Sequence, residues 1–261
     1  LRRDPVAIQL IADASDPNAA TTLVNYASAI IADYQREQNA IAAGSPLRIT
    51  SQVKMLYNPR LEGVYMFVPG VMTVILMLVS AMMTSIAIVR EKEQGTMEVL
   101  LVSPLPPPLV IIGKVVPYIL LSLINTAVIL ALGILVFGMP IRGSWLLLGL
   151  ECLLFVLTSL SLGILISTRT SSQQVAMMIS LIALMLPTII LSGFIFPITS
   201  MPRVLKLLSH IVPAKWFIII LKNIMLKGAG LPFIWQETTV LLGMTLLFIG
   251  ASIRNFNIRL D

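Results

Sequence analysis

The sequence predicts an all-α polytopic membrane protein, a helical bundle of five spans that follows a small α/β segment. Of its 261 residues, 57% are hydrophobic and only 11% are charged, whereas roughly 25% of a soluble domain is charged. The hydrophobic excess is concentrated in runs that reach the roughly 20 residues a helix needs to cross a bilayer. These observations exclude an ordinary soluble enzyme, because a chain of this size cannot bury five apolar helices on every side.

Five segments are predicted to span the membrane, within a transmembrane domain over residues 63–261. Three of them contain no charged residue; they lie at 66–89, 115–139 and 175–198. The segment 145–166 is also long enough but includes Glu151, and 238–253 reaches full length only with the four residues before it. Five retained spans therefore make up the bundle.

Prolines and small residues within these segments predict how the helices bend and pack. Pro69 is expected near the start of its helix, where proline costs little, whereas Pro117 and Pro187 lie deeper and are expected to kink theirs. Small residues let neighbouring backbones approach closely in membrane bundles. The candidates for such contacts are Ser80, Ala81, Ser159, Ser161 and Gly163.

Residues 1–62 are polar and mixed, and they predict the remnant of an α/β domain. Apolar residues recur at three-to-four spacing over 19–43, which predicts a helix, with Asn18 as its expected cap. After a Gly-Ser-Pro break the pattern alternates up to Lys54, which predicts a strand. Because the chain begins at Leu1 without a signal-like start, we expect a fragment of a longer protein that lacks one earlier span.

The sequence offers no catalytic constellation. It contains no G-x-x-x-x-G-K-[ST] phosphate loop, no Ser/His/Asp set and no Cys/His cluster at metal spacing. The single cysteine, Cys152, and the single histidine, His210, are interpreted as structural. We therefore predict a protein that is not an enzyme and binds no metal or cofactor itself. Its net charge of +6 fits lipid headgroups better than nucleic acid.

The densest charge cluster follows the first predicted span, over residues 90–104. Apolar residues behind the charges share one helical face, so we predict a short amphipathic helix along the membrane surface. Four prolines then force an extended break before the next span. One hypothesis is that force on this element would tilt both flanking spans. A simpler one is that Arg90 and Lys92 only anchor a helix end at the headgroups.

The cluster resembles the signature of type-2 ABC exporter permeases. It reads REKEQGTMEVLLVSP and is followed by Gly-Lys and Pro-Tyr pairs. Other short matches occur in the same order on both sides, and together they cover residues 57 to about 230. They are Tyr-Asn-Pro at 57–59, Val-Pro-Gly at 68–70, Ser-Gly-Phe-Ile-Phe-Pro at 192–197, Met-Pro at 201–202 and Val-Pro at 212–213.

The resemblance implies a permease subunit with six spans in the full chain, paired with a second permease subunit as a homo- or heterodimer. ATPase subunits on the cytoplasmic side would bind ATP and Mg. Residues 90–104 would form the cytoplasmic coupling segment, 199–230 extracytoplasmic re-entrant or interfacial helices, and 1–62 part of an extracytoplasmic domain. The implied coupling residues, which would contact the ATPase, are Arg90, Glu91, Lys92, Glu93, Gly95, Thr96, Glu98 and Leu101.

The implied function is ATP-driven efflux of a drug, lipid or similar amphiphile across a bacterial inner membrane, with membrane lipid and a periplasmic adaptor as further partners. Two alternatives are a module that relays force to extracytoplasmic partners without transport, and a channel. The predicted orientation rests on the resemblance, since six basic residues fall on each side. Glu151 lines the transport path in one hypothesis; in the other it pairs with Arg142 or hydrogen-bonds within the bundle.

Overall fold

The computed structural model describes residues 6–41, 48–95 and 107–255. The chain divides into two compact units, Leu1–Met66 and Phe67–Asp261. Thr96, Glu98 and Leu101 of the predicted coupling segment lie outside the described residues.

The first unit is a β-α-β arrangement. Strand β1 (Val6–Asp13) and strand β2 (Ile49–Leu56) pair in parallel, with Val6 opposite Ile49, and helix α1 (Pro17–Ile41) connects them. Asp16 caps α1, because its carboxylate accepts hydrogen bonds from the Asn18 and Ala19 backbone N–H groups at 3.1 and 3.2 Å. The predicted cap at Asn18 was therefore wrong by two residues, and β1 was not predicted.

The second unit is helical and contains five helices long and apolar enough to cross a membrane, counted over the described residues. A π turn joins α5 to α6, and the two together form one of these five spans. The helices are α2 (Val64–Glu93), α3 (Pro107–Leu135), α4 (Trp145–Thr168), α5 (Gln173–Ser180), α6 (Leu186–Leu191), α7 (Arg203–Ser209), α8 (Pro213–Lys227) and α9 (Leu231–Asn255).

Contacts between the helices fix their directions. Helix α3 runs antiparallel to α2, since Ser80 meets Ser122 at 2.7 Å and Val68 lies against Gly133 further along. The α5–α6 span is also antiparallel to α2: Gln173 contacts Glu93 at one end, and Phe194, just past α6, packs on Gly70 at the other. We call these ends of the bundle the Arg90 end and the Trp145 end.

Helix α9 runs parallel to α4. Thr238 contacts Glu151 at 2.7 Å and Thr245 contacts Thr158 at 2.6 Å, and both pairs are separated by the same 87 residues. A constant offset at two contacts seven residues apart requires the two helices to run in the same direction. Successive contacts one heptad apart are also the spacing of a coiled-coil seam.

This parallel direction shows that α7 and α8 do not form a sixth crossing. The two helices meet at 80°, and the chain enters them from α6 at the Trp145 end. It also leaves them there, since the Arg142 backbone N–H, just before α4, donates to the Met225 carbonyl at 3.0 Å. The pair is therefore re-entrant or interfacial, and five crossings remain among the described residues. Phe217 of α8 stacks on Phe155 of α4, with ring centroids 4.0 Å apart.

The prolines are accommodated within continuous helices. Pro117 lies inside α3 and Pro69 inside α2, which begins at Val64 and so extends further back than predicted. Ahead of Pro187 the backbone widens into a π turn, Leu181–Met185. Proline cannot donate a backbone hydrogen bond and crowds the preceding turn, and π turns are a known local adjustment in such helices.

Small residues allow the closest helix contacts. A Cβ atom on Gly163 of α4 would lie 2.3 Å from the Ala81 carbonyl oxygen of α2, and one on Gly70 would lie 1.9 Å from the Phe194 ring. Gly163 and Ala81 thus meet as predicted for small residues in a membrane bundle. Ser159 and Ser161 instead donate to carbonyls of their own helix.

The outer surface of the bundle is apolar. On α3 a stripe of large side chains at four-residue spacing is exposed, each by 46% or more. Such a stripe would be unfavourable in water but matches the hydrocarbon of a bilayer. Its members are Val116, Leu120, Ile124, Val128 and Leu132.

Candidate functional site

The candidate site lies at the Arg90 end, where the last turn of α2 meets the connection between α4 and α5. Residues 90–93 are the final turn of α2, so Glu93 belongs to the spanning helix and not to a separate amphipathic one. Helix α2 ends at Glu93, and Gly95, two residues later, has a φ of 71°, which favours glycine and is typical of the position just past a helix. The rest of the predicted amphipathic helix falls outside the described residues.

Lys92 binds the carboxyl end of α4. Its ammonium donates a hydrogen bond to the Ser167 carbonyl oxygen, one of the last carbonyls of a helix that ends at Thr168. These carbonyls have no partner within the helix and carry its negative dipole charge, so a cation there is stabilising. The neighbouring hydroxyls of Thr168 and Thr170 donate back to other carbonyls of the last turn.

Glu93 binds the amino end of α5. Its carboxylate oxygen accepts hydrogen bonds from the Gln173 side-chain amide at 2.7 Å and, more weakly, from the Gln173 backbone N–H at 3.4 Å. Gln173 is the first residue of α5, and the preceding Ser172 makes no side-chain capping bond. A carboxylate at this position supplies the missing cap and complements the positive dipole end of the helix.

Two consecutive residues of α2 therefore clamp both helix ends of one inter-helix connection, with charges of the correct sign at each. We call Lys92, Glu93, Ser167 and Gln173 the helix-end clamp. The clamp joins α2, α4 and the α5–α6 span at a single point. A displacement of the α2 end would therefore be transmitted to α4 and to the α5–α6 span.

The other predicted coupling residues differ in their surroundings. Arg90 and Gly95 are exposed, and Glu91 is half-buried. Ser167 and Gln173 were not among the predicted residues. They are 75 and 80 residues from their partners, and no local pattern in the sequence could have identified them.

Glu151 lies in a different place, in the α4–α9 seam. It is buried, one oxygen accepts the Thr238 hydrogen bond, and the other has no hydrogen-bond partner among the described residues. The alternative partner predicted for it, Arg142, is exposed and forms no ion pair with it in the described part of the chain. Of the structural alternatives, the hydrogen bond within the bundle is the one present.

Five crossing helices, an apolar exterior and a re-entrant or interfacial helix pair define a polytopic membrane protein. Residues 3–254 match the model of the family described as "ABC-2 family transporter protein". The chain belongs to the ABC-2 transporter family and is a multi-pass membrane protein.

Named relatives agree with this assignment. The chain is 34% identical to "Probable multidrug ABC transporter permease YbhS" of Escherichia coli K12, over 97% of this chain and 68% of the relative. It is 35% identical to "Probable multidrug ABC transporter permease YbhR" of the same organism, over 91% and 64%. It is also 26% identical to "ABC transporter G family member 20" of Dictyostelium discoideum, over 91% and 32%. The chain thus spans about two thirds of the length of these bacterial relatives, and no solved structure matches it.

Proposed function

We propose that the chain is the membrane-spanning part of a permease subunit of an ATP-binding-cassette exporter. It moves a drug, lipid or similar amphiphile out of the cytoplasm or the inner leaflet, using ATP and Mg bound by a separate ATPase subunit. A second permease subunit completes the transporter. Family membership and the names of the bacterial relatives support the transport role, and the helix-end clamp supports the coupling.

The clamp is the observation that carries the coupling proposal. An ATPase bound to a single flexible loop could not reorient the bundle, whereas one bound next to the clamp pushes on three spanning segments together. The clamp residues are connected by charge-assisted hydrogen bonds, which are roughly twice as strong as neutral ones. Movement of the α2 end is therefore passed on to Ser167 and Gln173 instead of being absorbed locally.

In this proposal the Arg90 end faces the cytoplasm. The α7–α8 pair, which begins and ends at the Trp145 end, then faces the opposite side. Cysteine-accessibility labelling in sealed vesicles tests this orientation. A cysteine replacing Arg90, which is exposed, is expected to be protected from an impermeant maleimide in intact cells and labelled in inverted vesicles. The reverse pattern would overturn the proposed coupling interface.

Binding of the ATPase is tested by pull-down of the full-length permease with its co-expressed ATPase subunit. The triple substitution Glu91→Lys, Glu93→Lys and Glu98→Lys is expected to abolish capture, because it reverses three negative charges of the predicted coupling segment, one of which belongs to the clamp. Glu37→Lys, an exposed residue of α1, is the control and is expected to leave capture unchanged. Full-strength binding by the triple variant would show that the interface lies elsewhere.

Transport itself is tested in proteoliposomes that contain both subunits. ATP-dependent movement of a fluorescent amphiphile distinguishes an exporter from a module that only relays force, and movement without ATP would indicate a channel. Glu151→Gln is measured in the same assay. Its hydrogen bond to Thr238 supports a structural role, so we propose that export continues in this variant, and loss of export with normal folding would restore the transport-path hypothesis.

A further inference from the structure

The bend between α7 and α8 concentrates positive charge at the membrane. Residues 199–230 contain no aspartate or glutamate. Their cationic and titratable residues are Arg203, Lys206, His210, Lys215, Lys222 and Lys227. A segment of a membrane-associated helix pair whose charges are all positive indicates an anionic partner.

Four of its residues form one connected cluster, which we call the elbow: Lys206, His210, Lys215 and Trp216. The Trp216 indole N–H donates to the His210 carbonyl at 3.0 Å, and the two rings meet edge to face at 5.7 Å. His210 Nδ1 lies 2.7 Å from the Lys206 carbonyl oxygen. The Lys215 ammonium lies 4.7 Å from the centre of the Trp216 ring, within cation–π range. The side chains of His210, Lys215 and Trp216 are thus held by the backbone and by each other, and Lys206 joins the cluster through its backbone carbonyl.

Lys215 is only 5% exposed, although lysine is rarely buried without an ionic partner. Neither Lys215 nor Lys206 forms an ion pair with any carboxylate in the described ranges. Burial is the main cause of the lowered pKa of Lys215, and the positive charge of Lys206 adds a smaller repulsion. An anion between them would relieve this repulsion.

The surface beside the elbow is apolar and uncovered. Val204, Leu207 and Ile211 are 69%, 72% and 67% exposed, and they lie at three- and four-residue spacing on the same stretch as Lys206 and His210. Cationic residues next to an exposed apolar stripe complement a molecule with an anionic head and hydrocarbon chains. Since α7–α8 begins and ends at the Trp145 end, the leaflet on that side supplies such molecules.

We propose that the elbow binds the phosphate group of an anionic phospholipid, with Lys206 and Lys215 contacting the phosphate and the acyl chains lying along Val204, Leu207 and Ile211. The lipid site does not depend on the proposed transport activity. It would hold the re-entrant pair at a fixed depth in the membrane, because the headgroup region is the only place where the phosphate is available.

Tryptophan quenching by brominated lipids tests the site. Of the three tryptophans in the chain, Trp145 and Trp235 are exposed, so Trp145→Phe with Trp235→Phe leaves Trp216 as the reporter. The protein is reconstituted in nanodiscs that contain a small, equal fraction of dibrominated phosphatidylglycerol or dibrominated phosphatidylcholine. Stronger quenching by the anionic lipid is expected, and equal quenching would overturn the proposal.

Charge variants in the same background identify the residues responsible. Lys206→Gln and Lys215→Gln are each expected to lower the preference for the anionic lipid about fivefold, given the attraction of one basic residue to an anionic surface. Arg142→Gln, which removes a charge at the same end but outside the elbow, is expected to keep the preference, as is Lys215→Arg. Lys206 is exposed, so the protein is expected to tolerate its replacement. If the Lys206→Gln variant keeps the full preference for the anionic lipid, the assignment fails.

A final arm distinguishes lipid from free phosphate. Inorganic phosphate is added at millimolar concentration to nanodiscs that contain dibrominated phosphatidylglycerol. No change in quenching is expected, because soluble phosphate lacks the acyl chains that contact the apolar stripe. Displacement of the lipid by phosphate alone would assign the elbow to a water-soluble anion and overturn the lipid site.

Discussion

Thr238 donates a 2.7 Å hydrogen bond to Glu151, and the same hydroxyl lies 3.0 Å from the Ile234 carbonyl of its own helix. A hydroxyl has only one hydrogen, so it cannot serve both acceptors at once. A group at residue 151 that also carries a hydrogen could donate to Thr238 and leave the hydroxyl hydrogen for Ile234. A hydrogen-bond donor at position 151 therefore fits this site as well as a carboxylate does.

This pair predicts the effect of two substitutions on unfolding in detergent. Glu151→Gln supplies an amide donor and is expected to change the free energy of unfolding by less than about 1 kcal/mol. Thr238→Val leaves the buried Glu151 without a partner and is expected to cost about 1–3 kcal/mol. Combining Thr238→Val with Glu151→Leu should recover most of the loss. If Thr238→Val alone is as stable as the unaltered protein, the hydrogen bond contributes nothing.

The contact between Gly163 and Ala81 predicts that α4 cannot carry a larger residue at position 163. Gly163→Ala places a methyl group against a backbone oxygen and is expected to destabilise the bundle by about 1–3 kcal/mol. Gly149→Ala on the same helix is the matched control, since a Cβ there meets no atom within 4 Å. Thermal unfolding of both variants in detergent measures the difference, and equal midpoints would contradict the close approach of α2 and α4.

The helix-end clamp predicts unequal effects of two basic residues in one helical turn. Lys92→Met removes the ammonium that binds the Ser167 carbonyl and is expected to cost about 1.5–3 kcal/mol, the range for a hydrogen bond to a charged group. Arg90→Met removes an exposed charge and is expected to change stability by less than about 0.5 kcal/mol. Hydrogen exchange at residues 167–173 should rise in the first variant only. Equal exchange in both would indicate that the clamp does not hold the connection.

The stacked rings of Phe155 and Phe217 predict how the re-entrant pair is attached. Phe217→Ala empties a fully buried position and is expected to cost about 3–5 kcal/mol, as large-to-small changes in well-packed sites do. Phe233→Ala removes a ring that is 80% exposed and serves as the control. Protease sensitivity of α7–α8 reports the outcome, and an unchanged cleavage rate in Phe217→Ala would argue against this packing.

The spans could be predicted from the sequence because hydrocarbon thickness imposes a length of apolar residues that soluble helices do not need. Helix ends were harder to predict. Charged residues 90–93 marked the end of the hydrocarbon, yet the helix continues through them, since Arg, Glu and Lys are good helix formers. At the start of α1, both Asp16 and Asn18 are of a residue type that caps helices. Pro17, typical of the first helical position, favours Asp16 over Asn18.

Contacts between residues that are far apart in the sequence could not be predicted from sequence patterns. Strand β1 is apolar apart from Gln9 and Asp13 and shows no alternation, and periodicity alone does not distinguish such a short run from a helix segment. The partners of Lys92, Glu93 and Glu151 lie 75, 80 and 87 residues away. Only the folded arrangement shows that adjacent charges of α2 match the opposite dipole ends of two other helices.

The π turn at Leu181–Met185 holds one residue more than an α-helical turn does. Deleting one residue there would let the backbone tighten to an ordinary α turn and would leave the direction of α6 nearly unchanged. Inserting one residue between the π turn and Thr188 is different, because each residue advances an α-helix by about 100° and lengthens it by only about 1.5 Å. The longer segment would insert in the bilayer as before. Thr188 would nevertheless face away from Met77, which it now contacts at 3.1 Å, and a correctly inserted polypeptide would fail to assemble.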